Sequence, residues 1–145
     1  MDKAGRAEFH TLKGYRLQNS EEITESMEDY LEMICRHMQE NGYIRINFLA
    51  EKLNVRPSSA SKMVNKLKDL DLVKFEKYGL ITLTRRGGEI GHYLLWRHDL
   101  LHRFFCLLNH SACELEQVEQ VEHYMNKETL DNLEKLVADM EKMLP

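Results

Sequence analysis

Cysteine is scarce in this 145-residue sequence: Cys35, Cys106 and Cys113 are odd in number, and no two are spaced as CxxC. That argues against a disulfide framework and against a structural zinc site, and two of the three fall in apolar stripes, as small buried thiols do. No stretch approaches the roughly 18 consecutive apolar residues of a membrane span. The opening MDKAGRAEFHTLKGYR lacks the apolar run of a secretory signal. The expectation is therefore a soluble protein of the cytoplasm with no membrane partner. Internal repeats, low-complexity tracts, a glycine-rich phosphate loop and a hydrolase nucleophile elbow are also missing. Nothing points to an enzyme or to a small organic substrate.

Net charge is close to balanced, −4, but its distribution is not. Residues 45–88 carry ten Lys/Arg against four acids, a balance of +6. Residues 111–145 stand at −6 and residues 1–44 at −4. A basic middle between acidic flanks suggests that the middle meets a polyanion while the flanks do something else.

Hydrophobic periodicity divides the chain. Residues 1–22 have no sustained period and read as a tail. A first helix is expected from Thr24 or Ser26 to Asn41-Gly42, with Met27, Leu31, Ile34, Cys35 and Met38 on one face. A short helix in RINFLAEKLN turns Phe48, Leu49 and Leu53 inward. After the turn Asn54-Val55-Arg56 a third helix starts at Pro57, where a missing N–H costs nothing, and Met63, Val64, Leu67 and Leu70 form its stripe. VKFEKYGLITLT then alternates β-formers around Lys77-Tyr78-Gly79 as a two-stranded hairpin. Thr84 caps a long fourth helix reaching about Asn109, weakened at first by Gly87, Gly88 and Gly91; two more helices follow, over about 114–126 and 128–144. The expected fold is mainly α. An N-terminal winged helix-turn-helix with a two-stranded wing, residues 23–84, precedes a second, helical domain, residues 85–145.

The third helix must pack its stripe inward, which turns Ser58, Ser59, Ser61, Lys62, Asn65 and Lys66 outward. Small hydroxyls allow close approach to a groove and bond phosphates, and Asn65 can read an adenine edge. Pro57 and Ala60 can touch thymine methyls. Lys74, Lys77 and Tyr78 on the wing, with Arg85 and Arg86 beyond it, suit phosphate contacts. Each alone is an ordinary solvated surface; helix-turn-helix, proline start, hairpin and charge asymmetry together point to double-stranded DNA.

In EQVEQVEHYM, residues 116–125, Glu119, Glu122 and His123 share a helix face beside the apolar Val118, Val121 and Met125. This is either a solvated acidic stripe or half of a hard-metal site. Possible partners are His98, within the apolar face of the long helix, and Asp29 with Glu32 on the first helix. A buried histidine usually satisfies a local hydrogen bond, and Asp29 alone would be taken as solvent-exposed.

The segments SMEDYLEMI, VRPSSASKMVNKL, FEKYGLITLTRRG, WRHDLLHRFF and VEQVEHYM appear in an order and spacing that resembles the diphtheria toxin repressor family, in its manganese transport regulator branch. The resemblance runs from about residue 24 to the end. It implies two metal ions per chain, held by an Asp and a Glu of the first helix, a His of the long helix and a Glu-x-x-Glu-His. By motif match these are Asp29, Glu32, His98, Glu119, Glu122 and His123. Iron-responsive relatives carry Met and Cys in place of Asp29 and Glu119; carboxylates at both places suit Mn²⁺, with Fe²⁺, Co²⁺, Cd²⁺ and Zn²⁺ as other candidates. The resemblance further implies that residues 85–145 are the helical metal-binding and dimerisation domain of a homodimer that binds a palindromic operator when metal is present. The dimer surface is expected on the last two helices, whose apolar faces exceed what a small monomer could bury. The tail is longer than the family pattern, and the SH3-like third domain of some relatives is not expected. The alternatives are an iron-responsive regulator and a winged-helix regulator indifferent to metal.

Overall fold

The computed structural model describes residues 23–144; the expected tail lies outside them. Helix α1, Glu25–Asn41, begins where the Thr24 hydroxyl accepts a hydrogen bond from the Met27 N–H, 3.2 Å. It stops at Gly42, whose φ of +80° is the left-handed turn that glycine adopts without strain. Tyr30, Leu31, Ile34 and Cys35 are buried, as helical spacing dictates, and so is Glu32.

Strand β1, Ile44–Arg45, leads into α2, Ile46–Leu53. Asn54, left-handed at φ 56°, turns the chain towards α3, Pro57–Asp69. Strand β2, Val73–Glu76, returns through the tight turn Lys77–Gly79 as β3, Leu80–Leu83. The hairpin is thus present, joined by a third strand in the antiparallel order β1-β3-β2. Ile44 and Phe75 both register on Ile81. Two residues are too few to display an alternating pattern, so β1 was not legible beforehand. Leu31, Ile34, Leu49, Val64, Leu67, Leu72, Ile81 and Leu94 fill the core of this half, and fully burying each such side chain contributes about 1.5–3 kcal/mol.

Two expectations fail here. Phe48 does not face inward; it lies on the surface edge-to-face with His37, ring centroids 4.8 Å apart, and the Lys52 ammonium stands 5.3 Å from its ring centre. Ala60, expected to touch DNA, is wholly buried with Val64 and Leu67.

Helix α4, Arg85–Asn109, is one unbroken element of 25 residues. The Thr84 hydroxyl accepts from Gly87 N–H, 3.0 Å, and donates to Asp71 C=O, 2.7 Å, fixing the helix start to the end of α3. A side chain on Gly87 would place its Cβ 1.8 Å from the Leu72 carbonyl oxygen. On Gly91 it would meet Cys35 Cβ at 2.8 Å. These glycines weaken the helix intrinsically, but they let α4 press against its neighbours.

Helix α5, Leu115–Val121, is shorter than expected because Glu122–Tyr124 tightens into a 3₁₀ turn. Helix α6, Lys127–Met143, is capped by Asn126, whose Oδ1 accepts from Thr129 N–H at 2.8 Å. Leu100, Leu101, Val118, Leu130 and Val137 form a second, smaller core. Around it Leu108, Leu115, Leu136, Met143 and Leu144 stay exposed. Among the described residues no helix is long and apolar enough to cross a membrane.

Candidate metal centre and nucleic-acid interface

Where α1, the middle of α4 and the end of α5 meet, all six metal-ligand candidates come together. One donor atom each from Glu32, His98, Glu119 and Glu122 lie within 4.8 Å of one another. So do donors from Asp29, Glu122 and His123. Glu122 belongs to both groups and is completely buried; Glu32 is 8% exposed. The 3₁₀ turn after α5 advances Glu122 and His123 beyond the helical path.

His98 Nδ1 lies 3.1 Å from Glu122 Oε2, 3.4 Å from Glu32 Oε1 and 3.5 Å from Glu119 Oε1. His123 Nε2 stands 2.9 Å from Asp29 Oδ1 and 4.0 Å from Glu122 Oε1. Buried oxygens Asp29 Oδ1, Glu32 Oε1 and Glu122 Oε1 have no hydrogen-bond partner. Such orphaned carboxylate oxygens are costly unless a cation satisfies them. Either cluster can hold a divalent cation, with oxygen and imidazole donors and no thiolate.

The electrostatics carry the same mark. Burial, then the Glu122 carboxylate, raises Glu32 to about 7. Burial and Glu122 also raise Glu119. The hydrogen bond to Glu122 raises His98, and the carboxylates of Asp29 and Glu28 push His123 up to about 10. Every one of these shifts holds protons in place of positive charge.

Glu28 and Arg97 are participants that sequence reasoning missed. Glu28 Oε1 accepts from His123 Nδ1 at 2.8 Å. Arg97, only 4% exposed, reaches both Glu28 oxygens at 3.4 and 3.5 Å. The available signal was position: Arg97 lies three residues after Leu94 and four before Leu101, on the apolar stripe, where a charge requires a buried partner.

The second candidate surface is the outer side of α3. Pro57, Ser58, Ser59, Lys62, Asn65 and Lys66 are exposed, and Ser61 is half-buried. Arg56 makes no side-chain cap on α3, so the first backbone N–H groups keep their positive end open to an anion. Lys74 on β2 and Lys77 and Tyr78 on the wing turn are exposed; Tyr78, at φ 66°, is 92% so. Arg86 is exposed, and one of its guanidinium N–H groups donates to Leu70 C=O at 2.8 Å. Arg85, 3.5 Å from Glu89, stays exposed.

The family model described as the iron-dependent repressor N-terminal DNA-binding domain matches residues 22–80, and that of the iron-dependent repressor metal-binding and dimerisation domain matches residues 84–143. Among solved structures the chain is similar to the manganese regulator SloR, with 29% identity over 77% of this chain and 53% of that one, TM-score 0.67. It is similar to ScaR with bound Zn²⁺, with 25% identity over 77% and 53%, TM-score 0.63. A hypothetical protein of Sulfolobus solfataricus, at 24% identity over 81% and 91% and TM-score 0.60, shares the fold. The chain spans about half the length of SloR and of ScaR.

Proposed function

Because the chain belongs to the iron-dependent (diphtheria toxin) repressor family, we propose that it is a metal-activated DNA-binding repressor whose activating ion is Mn²⁺ and whose targets are manganese uptake genes. One observation carries the reading: Glu122, wholly buried with an unpaired oxygen, is shared by two donor clusters at the junction of the two halves. Asp29, Glu122 and His123 would hold one ion; Glu32, His98, Glu119 and Glu122 would hold a second. Bound divalent cations supply the positive charge that offsets crowded carboxylates. Four carboxylates and two imidazoles form a hard, sulfur-free set, which favours Mn²⁺ by donor type and geometry, with Fe²⁺ the nearest competitor.

Asp29 and Glu32 ride on α1, part of the reading head; His98 rides on α4, and Glu119, Glu122 and His123 close from α5 and the turn after it. Drawing these together fixes α1 against the second half. With two chains paired through the exposed apolar residues of α5 and α6, two α3 helices would be set for successive major grooves of a palindromic operator. Residues 23–84 form the reading head and 85–145 the effector half. Metal and DNA then favour one state, so each raises affinity for the other.

The test is selection of bound duplexes from a random library with Mn²⁺ or with chelator, followed by gel shift on the enriched duplex. Mn²⁺-dependent enrichment of a two-fold symmetric sequence is expected. Equal affinity for that duplex under both conditions would falsify the proposal.

A further inference from the structure

Resting on the reading of His123 as a metal ligand, we propose that Glu28 and Arg97 are a positioning pair that commits His123 to donate through Nε2. The two ring nitrogens of His123 have different surroundings. Nε2 points into the donor cluster, 2.9 Å from Asp29 Oδ1. Nδ1 points away from it, to Glu28 Oε1 at 2.8 Å. An imidazole bound to a metal through one nitrogen keeps its proton on the other. The partner of that second nitrogen fixes the tautomer, the ring angle and the basicity of the donor. Glu28 is placed to be that partner, and it does not itself face the cluster.

Glu28 is in turn fixed. Arg97, buried on α4, sets Nη1 3.4 Å from Glu28 Oε2 and Nη2 3.5 Å from Oε1. Its Nη2 also lies 3.4 Å from His123 Nδ1. A guanidinium has no lone pair to offer an N–H, so the acceptor beside Nδ1 is the nearer Glu28 oxygen at 2.8 Å. The pair joins the same three elements as the ligands, α1, α4 and the turn after α5. An exposed Glu–Arg bridge would be a bland surface contact, but this one is sunk between helices, with Arg97 on the apolar stripe.

Two-bond ¹H–¹⁵N spectra of histidine-labelled protein loaded with diamagnetic Zn²⁺ read the tautomer directly, and Mn²⁺ titration reads affinity. In the wild type, His123 is expected to carry its proton on Nδ1 and to coordinate through Nε2. Glu28→Ala should mix the tautomers or switch the donor, and weaken Mn²⁺ binding on the order of 10- to 100-fold without changing stoichiometry. Glu28→Gln, whose amide oxygen accepts the same hydrogen bond, should keep the Nδ1–H tautomer and lose only a few-fold. Arg97→Gln should fall between them, and it serves as the test if Glu28→Ala does not fold. A merely structural bridge would lower the melting temperature of the chelator-treated protein and leave tautomer and affinity alone. Glu28→Ala, or in its place Arg97→Gln, with the wild-type tautomer and Mn²⁺ affinity within about twofold would overturn the pair. Wild-type His123 signals indifferent to Zn²⁺ would overturn the ligand assignment and this proposal with it.

Discussion

The reading head and the effector half handle charge in opposite ways. On α3 and the wing the lysines extend into solvent, and the core beneath them is wholly apolar. Where the effector half meets α1, Glu122, Glu32 and Arg97 are buried and held by one another and by His98, His123 and Glu28. Solvated charges act at a distance, additively, and tolerate replacement. Buried ones act through geometry, so that losing one strands the others. The lesson is that the two halves should respond differently to the same class of mutation.

The largest contrast is expected from Glu122→Gln. It removes the charge shared by both clusters at nearly constant volume. Mn²⁺ affinity should fall by more than about 100-fold, beyond the loss typical of an outer-shell partner. The same change should lower the melting temperature in chelator as well, because the His98 imidazole 3.1 Å away loses its charged partner. Calorimetric metal titration and melting curves in the two buffers measure the two losses; no change in Mn²⁺ affinity would break the comparison.

Next in size is a pH effect seated at the junction of the two halves. Glu32, raised from 4.5 to about 7, and His123, raised from 6.5 to about 10, keep protons in the folded protein that the unfolded chain has released. Their contribution is full below the unfolded values and is lost as pH rises through the folded ones. Chelator-treated protein should therefore lose a few degrees of melting temperature between about pH 5 and pH 8. Mn²⁺, which displaces those protons, should flatten or reverse the slope. A melting temperature that climbs with pH in chelator contradicts the assignment.

Glu119→Cys tests donor hardness. Glu119 sits at the rim of its cluster, with its side chain 53% exposed, so a thiolate can be accommodated. The variant should shift preference from Mn²⁺ towards Zn²⁺ and Co²⁺. Competition binding reads the order; an unchanged order removes hardness as the basis of selection.

The smallest effects belong to the reading head. Lys62→Ala and Lys77→Ala should each reduce the log–log salt slope of duplex binding by about one and weaken unrelated sequences equally. Mn²⁺ binding should be unchanged. Duplex affinity independent of ionic strength would sink the assignment of this face.

The long elements were legible because their signals are local. Thr24 and Thr84 are caps, Gly42 a stop, Pro57 a start, and the apolar stripe of α1 holds the expected face. The failures are tertiary. Ile44–Arg45 is a strand because β3 is there to pair with it. Ala60 is buried because α3 packs closely at its first turn. Gly87 and Gly91 read as weak points until Leu72 and Cys35 were found against them. At the centre, Glu119, Glu122 and His123 were visible as a face, yet proximity spacing could not reveal which distant residues would meet them. Helix position made His98, Asp29 and Glu32 possible partners, and the resemblance singled them out as the ligands. Glu28 and Arg97 carry no motif of their own, and only the geometry brought them forward.

The continuity of α4 has a mechanical consequence. Its 25 residues make a beam of about 37 Å with no joint inside it. At one end Thr84, Arg86 and Gly87 rivet it to the base of the wing; at its middle His98 faces the donor cluster. The reading head cannot swivel on a loop. It turns as a crank turns, with the shaft, and its attitude is set by how that shaft beds against α1, α5 and α6.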